Sequence, residues 1–410
     1  MRTLIRDIRI FDGSGSVPFA GAVLVDGERI AAIGHGKDAL ADVCAEHVID
    51  GAGGTLMPGM IEAHAHLTWG SSVEHVYHQF MLPPEELEVA ARRNARVLLD
   101  HGFTSAWSAG ALGDGIETRL ARAIAAGETP GPRLVPSTLE RSPEGAEGVE
   151  TGDIFNGRGP AAIRGFMAHC AAEGVGSVKL VISGEDALKP GSSRDILYSA
   201  AEIAAAGEAA RAHGLAIAAH CYTGEAIALA LGAGARILYH CSFADEAAIA
   251  AMAAQREHIF YAPACGVSVA ALEAAPPPHI DMRAMKASAA ERMALEARLV
   301  PALKARGVRV LIGGDYGFPF NPNGRNARDL AHFVQYFGFT PIEALVAATR
   351  FGGELMGLGV GQVRQDYLAD LLLVDGDPTS DVTLLQDPAR LLMIMQGGRL
   401  HKAPAPAEPA

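Results

Sequence analysis

Leu56–Gly70 reads LMPGMIEAHAHLTWG, and the pair His64-Ala65-His66 inside it decides how the rest of the chain is read. Side chains of a β-strand alternate between its faces, so the two imidazoles project from one face and can reach one metal ion. With fifteen histidines in the chain, such a pair also arises by chance, and its weight comes from its company downstream. Lys179 lies in SVKLVIS, His220 in LAIAAHC, His240 in ARILYHC and Asp315 in RVLIGGD. Each is expected at the C-terminal end of a short, apolar, β-branched run of the kind that forms a buried parallel strand.

Between Met60 and about Gly357, eight such runs alternate with Ala/Glu/Arg-rich segments that read as helices: MIEAHAH, GFTSAWS, RLVPST, VGSVKLVIS, LAIAAHC, ARILYHC, HIFYAP and VRVLIGGD. Repeated βα units of this number predict an α/β fold, a (β/α)8 barrel over residues 59–358 with its site at the C-terminal strand ends. The flanking segments are different. Residues 1–58 hold only short strand candidates broken by Asp-Gly and Gly-rich turns, and ADLLLVDGDP and LLMIMQGGRL return to that pattern after Gly359. Residues 1–58 and 359–402 are therefore expected to pair into one composite β-sandwich domain, and the Ala/Pro tail 403–410 to be disordered.

The 410 residues suffice for a large core, and no apolar stretch approaches the ~18 to 20 residues of a membrane span. The N-terminus, MRTLIRDIRIFDGSG, shows no apolar signal region, so a cytoplasmic location with no membrane partner is expected. Five cysteines without a C-x-x-C pair fit reduced thiols, and Cys221 and Cys241 should point away from the histidines they follow. A net charge of −13 without a basic cluster speaks against nucleic acid as a partner.

The terminal β segments, PGMIEAHAHL, the strand-four lysine, the strand-five and strand-six histidines, the strand-eight aspartate and ATRFGGELMGLG followed by ADLLLVDGDP together resemble the amidohydrolase superfamily over nearly the whole chain. Within it the chain looks most like the branch related to imidazolonepropionase and the Xaa-Pro dipeptidases, with similarity to bacterial amide, carbamate and phenylurea hydrolases. The resemblance implies a binuclear centre: His64, His66 and Asp315 on one divalent ion, His220 and His240 on the other, and carboxylated Lys179 between them. A lysine is cationic near neutral pH and can ligate only as the carbamate formed with CO2. Imidazole ligands make zinc the expected metal. The implied chemistry is hydrolysis of an amide-like C–N bond by a metal-bridging hydroxide, with Asp315 as general base and then acid and Tyr222 donating to the oxyanion. Tyr222 reads equally as a packing aromatic at the barrel rim.

Substrate contacts are expected from the loop DYGFPFNPNGRNARDLAHF: Tyr316, Phe318 and Phe320 as apolar surface, Asn321 and Asn323 as amide partners, and Arg325 as a carboxylate clamp or, in the plainer reading, a loop cap. Trp69 and Trp107 are candidate aromatic walls, and His75 and His78 lie where a segment could cover the barrel mouth. His101 and His213 read as helix-end residues. The substrate class is a small molecule: a dipeptide, an N-acyl amino acid, or an aryl amide, carbamate or urea. Competing readings are a mononuclear deaminase or cyclic amide hydrolase of the same fold, a phosphotriester or lactone hydrolase, and a non-catalytic relative, which the complete ligand set disfavours. A homo-oligomer is expected by analogy.

Overall fold

Alternating apolar residues and tight Gly turns open the chain as β1 (Arg2–Ile10), β2 (Phe19–Asp26), β3 (Arg29–His35), β4 (His47–Asp50) and β5 (Thr55–Pro58). The structure is a computed structural model that describes residues 1–70, 82–143, 156–186, 189 and 191–404. All eight runs read from the middle of the sequence form strands: β6 (Met60–Ala65), β7 (Phe103–Ser108), β8 (Arg133–Val135), β9 (Ser177–Val181), β10 (Ala216–Thr223), β11 (Ile237–Phe243), β12 (Phe260–Ala262) and β13 (Arg309–Val310). The chain closes with β14 (Leu371–Val374), β15 (Leu391–Gln396) and β16 (Arg399–Lys402).

Every residue of β6, β7, β9 and β12 is buried, as expected of parallel strands covered on both faces. Helices fill the connections, among them Pro84–Asp100, Ala200–His213 and Arg283–Ala305. Ser199 and Glu202 form a reciprocal capping box at the start of Ala200–His213, and Gly214 ends it in a left-handed turn. His101 caps the end of Pro84–Asp100, its Nδ1 donating to the Val97 carbonyl at 2.7 Å. Both helix-end histidines thus sit where the sequence put them.

The eight middle strands pair in parallel as two sheets, β6-β7-β8 and β13-β12-β11-β10-β9. One seam carries a single parallel bridge, Arg141 to Leu180. At the other, the Tyr239 hydroxyl donates to the Ala63 carbonyl at 2.8 Å, and Gly313 packs so closely that a Cβ there would stand 2.8 Å from that of His64. Among the described residues no hydrogen-bonded ladder runs unbroken through all eight. Inside the strands lie Ile61, Trp107, Ala218, Tyr239, Phe260 and Leu311, and the helices cover the outer face, where Leu98, Phe166 and Val300 pack with strand residues such as Leu238.

The two chain ends do meet. Their strands form one sheet in the order β16-β15-β14-β5-β1-β2-β3, with β4 also paired to β1. The first half of β1 pairs with β4 and its end with β5, and the strand bends at an irregularity between Ile5 and Ile8 where Asp7 has φ 51°. Such a bend lets one strand serve two parts of a folded sheet. Hydrogen bonds therefore link all eight strands, around a core that includes Ile5, Ile10, Val23, Leu56, Leu373 and Met393. Arg133 of β8 reaches Asp370 with two bonds of 3.0 and 3.2 Å, tying this sheet to the middle strands. Among the described residues, no helix is long and apolar enough to cross a membrane.

Candidate metal centre

The alternation of β6 turns Glu62 and His64 inward, and His66 comes directly after the last strand residue, Ala65. Lys179 and His220 stand within β9 and β10, not at their last residues. His240 has φ 69° and Asp315 φ 58°, left-handed conformations that are strained for side-chain-bearing residues and often mark functional positions. Because β13 ends at Val310, Asp315 is presented by the irregular segment that follows it, through Gly313 and Gly314.

These residues converge. The His64 ring lies 5.1 Å from that of His66 and 5.4 Å from that of His240, which lies 4.4 Å from that of His220. Asp315 Oδ1 is 3.2 Å from His66 Nε2 and 3.8 Å from His64 Nε2. Lys179 Nζ donates to the Ala109 carbonyl at 2.8 Å and sits 4.6 Å from the centre of the Tyr239 ring, which stacks on His64. All six candidate ligands are buried, and Asp315 is the most exposed at 9%. Ligand atoms of His64, His66 and Asp315 all lie within 4.8 Å of one another.

Burial, followed by neighbouring cationic groups, holds His64 and His240 well below the ordinary imidazole range. His220 falls to about 4, mainly by burial. Three rings are thus neutral near pH 7, the state a metal requires. Burial opposes the charge on His66, but Asp315 and Glu140 outweigh it and raise its pKa. Burial would raise Asp315, yet His66, Lys179 and His220 lower it, so it is an anion at neutral pH.

Two features fit a bound cation. Both ring nitrogens of His64 are buried without a hydrogen-bond partner among the described residues, a state that costs about 1–3 kcal/mol per group when nothing compensates it. His66 Nδ1 lies 3.0 Å from the Gly110 carbonyl, which only accepts, so Nδ1 carries a proton and Nε2 faces Asp315. A lone pair there would confront a carboxylate oxygen unless a proton or a metal lies between them.

A set of residues unforeseen from the sequence fixes this geometry. Glu62 accepts from the His64 backbone N–H at 2.8 Å and from Asn326 at 2.7 Å, and burial, reinforced by Asp329, raises it to about 7. Asp329 accepts from the Gly313 N–H at 3.0 Å and from the Tyr316 hydroxyl at 2.8 Å, with His332 Nδ1 at 3.3 Å. Cys265, Asp329 and His332 form a second trio within ligand range, but both Asp329 oxygens already serve this clamp. Only Glu62 had a signal in the sequence: it shares the period-two face of His64 and His66.

The expected substrate residues divide. Trp69 stacks on His66 at 4.5 Å, Phe318 meets Trp69 edge-on at 4.8 Å, and Phe320 stacks on Phe318 at 5.4 Å. Phe320 and the exposed Arg325 line a cavity of about 390 Å³ with Pro277, Ile280, Met282 and Met285, and no candidate ligand lines it. Arg325 Nη1 approaches the Phe320 carbonyl at 3.4 Å. Tyr316, expected as pocket surface, is instead buried, because its hydroxyl is taken up by the Asp329 carboxylate at 2.8 Å. Asn321 is likewise buried, and its amide donates to the Gly314 and Asp315 carbonyls at 3.0 Å each, holding the loop. Asn323 reaches the His66 carbonyl at 3.3 Å. Trp107 packs in the interior core. Tyr222 is buried beside His240, with its hydroxyl on Glu185 at 2.7 Å. Cys221 and Cys241 face away from the cluster, as expected, with sulfurs 3.8 Å apart. His75 and His78 lie outside the described residues.

A family model for the amidohydrolase family matches residues 55–400. Ochratoxinase of Aspergillus niger is 26% identical over 376 residues, covering 85% of this chain and 76% of that protein. Imidazolonepropionase of Ectopseudomonas mendocina is 25% identical over 447 residues, covering 98% and 96%. A solved prolidase complexed with N-methylphosphonate-L-proline superposes with a TM-score of 0.83 at 25% identity, covering 98% of this chain and 100% of that one.

Proposed function

Because the chain belongs to the amidohydrolase family, a family of hydrolases, through residues 55–400, we propose that it cleaves an amide or amide-like C–N bond of a small molecule. The candidate substrates are dipeptides, N-acyl amino acids, and aryl amides, carbamates or ureas. The observation that carries this reading is the buried His64–His66–Asp315 set, with two imidazole nitrogens partnerless among the described residues and a carboxylate 3.2 Å from His66 Nε2. We read the two parallel sheets as arcs of one (β/α)8 barrel, residues 59–358, flanked by a domain built from 1–58 and 359–402, in a cytoplasmic homo-oligomer.

In this reading His64, His66 and Asp315 would hold one divalent ion, His220 and His240 would hold a second, and Lys179, once carboxylated, would serve as a further ligand, with zinc the expected metal. Bound there, such ions lower the pKa of water toward neutrality and supply a nucleophile. Asp315 is ionised at neutral pH and therefore able to take a proton from the attacking water. Its position between the imidazoles and the loop lets it pass that proton to the departing nitrogen, which leaves poorly unless protonated. Tyr222, once released from Glu185, donates its hydroxyl to the acyl oxygen. Trp69 and Phe318 exclude water from one side.

A one-metal version has its own support: the described trio His64, His66 and Asp315 is compact, whereas Lys179 makes a neutral-carbonyl contact that does not require carboxylation. Elemental analysis together with turnover of a C–N substrate panel tests both versions. About two ions per chain with hydrolysis of at least one class supports the binuclear reading, about one ion per chain supports the alternative. A metal-loaded chain inert toward every class refutes both.

A further inference from the structure

Glu185 comes after β9 in the sequence Ile182-Ser183-Gly184-Glu185-Asp186, at the rim of the His220 and His240 half of the site. Its Oε2 accepts from the Tyr222 hydroxyl at 2.7 Å and lies 3.9 Å from His220 Nε2. Its Oε1 lies 3.7 Å from Nη1 of Arg292, a residue that is only 6% exposed. Arg292 also faces Asp186 at 4.0 Å, and Asp186 is fixed by the Ser288 hydroxyl at 2.6 Å and the Ser193 N–H at 3.0 Å. The two groups on this side best suited to grip a substrate carboxylate, a phenol and a guanidinium, are thus already matched by carboxylates of the chain.

A third carboxylate brought here by a substrate would lie beside Glu185 in a mostly buried setting, where water screens like charges weakly. Displacing Glu185 would only exchange one carboxylate for another on the phenol and the guanidinium, and would leave the Glu185 charge in a mostly buried setting without its donors. A carboxamide, an ester or an ammonium meets neither penalty, and an N–H group gains an acceptor in Glu185.

We infer that Glu185 sets substrate choice at this site, selecting C–N substrates with a neutral or cationic group next to the scissile bond and rejecting those with a carboxylate there. The inference rests on the proposed C–N hydrolysis and narrows it, away from dipeptides and N-acyl amino acids with free carboxylates and toward amides, carbamates and ureas without one. It assigns Glu185 a role in selectivity, with Asp186 and Arg292 holding its position.

The test compares N-acetyl-phenylalanine with its carboxamide, reading acetate release by the metal-loaded full chain. The wild type is expected to favour the carboxamide in kcat/KM by about tenfold or more. Glu185→Gln should narrow that ratio by about tenfold, or about 1.4 kcal/mol, chiefly through a lower KM for the carboxylate. Tyr222→Phe keeps the charge and should keep the ratio while turnover falls. Calorimetric binding of phenylalanine and phenylalaninamide reads the same preference without turnover. A chain inert toward both substrates refutes cleavage of N-acyl amino acids and their amides, while the calorimetric comparison of wild type and Glu185→Gln still decides the role of Glu185. Tighter handling of the carboxylate by the wild type, or the same preference in Glu185→Gln, overturns the inference.

Discussion

Asp329→Asn is the change that most sharply separates a site held by its surroundings from one that holds itself. The Asp329 carboxylate accepts from the Gly313 N–H at 3.0 Å and the Tyr316 hydroxyl at 2.8 Å, on either side of Asp315, and His332 lies at 3.3 Å. An amide of the same shape keeps one acceptor. Its NH2 group either faces the Gly313 N–H, leaving two donors in contact, or gives up the Tyr316 hydroxyl. One charge-assisted bond, about 1.5–3 kcal/mol, is lost, and one buried donor is orphaned at about 1–3 kcal/mol. Relief of repulsion with Glu62, whose pKa Asp329 helps to raise, returns part of this. The net loss should be about 2–4 kcal/mol, and left-handed Asp315 should lose its fixed position. Thermal unfolding and metal content, measured on the same preparation, check both effects: a lower Tm and a metal-binding constant weaker by about tenfold or more. A variant with the Tm and metal affinity of the wild type would refute the reasoning, because the clamp would then be incidental.

Gly313→Ala should also deplete metal, since its Cβ would stand 2.8 Å from that of His64 and its φ of 156° disfavours a side chain; elemental analysis reads the loss. Asp315→Asn should lower kcat by about 10² to 10⁴ through loss of the proton carrier, with the circular dichroism spectrum unchanged. Chelation should lower Tm, because an ion present at about a thousand times its dissociation constant stabilises the fold by about 4 kcal/mol. Glu296 is raised from 4.5 to about 8 by burial, against the pull of Ser242 and Arg292, so between pH 4.5 and 8 the folded chain keeps a proton that the unfolded chain has released. Stability from this group is complete below that window and falls as pH rises through it. Glu296→Gln should therefore gain on the wild type by about 1 kcal/mol or more from about pH 5 to 8 in denaturant titrations, and a constant difference would rule the linkage out.

Strands such as β6, β7, β9 and β12 were legible because burial on both faces demands continuous apolar runs, and the ligands were legible because they end or interrupt such runs. His64 and His66 share a face by the period of two alone. Tyr316 was misread because an aromatic in the loop after Asp315 advertises apolar surface, whereas its burial and its bond to Asp329 depend on a segment 13 residues further on. Asn321 was misread for a related reason: a loop rich in Pro and Asn advertises polar groups but not whether they face a ligand or their own carbonyls. Arg292 and Glu296 were invisible because they sit one turn apart on the 23-residue helix Arg283–Ala305, where charged residues ordinarily face water. Only the packing of that helix against β11 and β13 turns them inward. Asp329 and Glu185 depend on contacts between segments far apart in sequence, which no local pattern encodes.

The central claim, that six buried side chains on or just past five of the eight middle strands form one metal-dependent hydrolytic site, is tested most directly by the metal-to-protein ratio of purified wild type beside Lys179→Ala. The account predicts about two ions per chain in the wild type and about one or fewer once Lys179 is gone. A wild type without metal, or a ratio indifferent to Lys179, would contradict it.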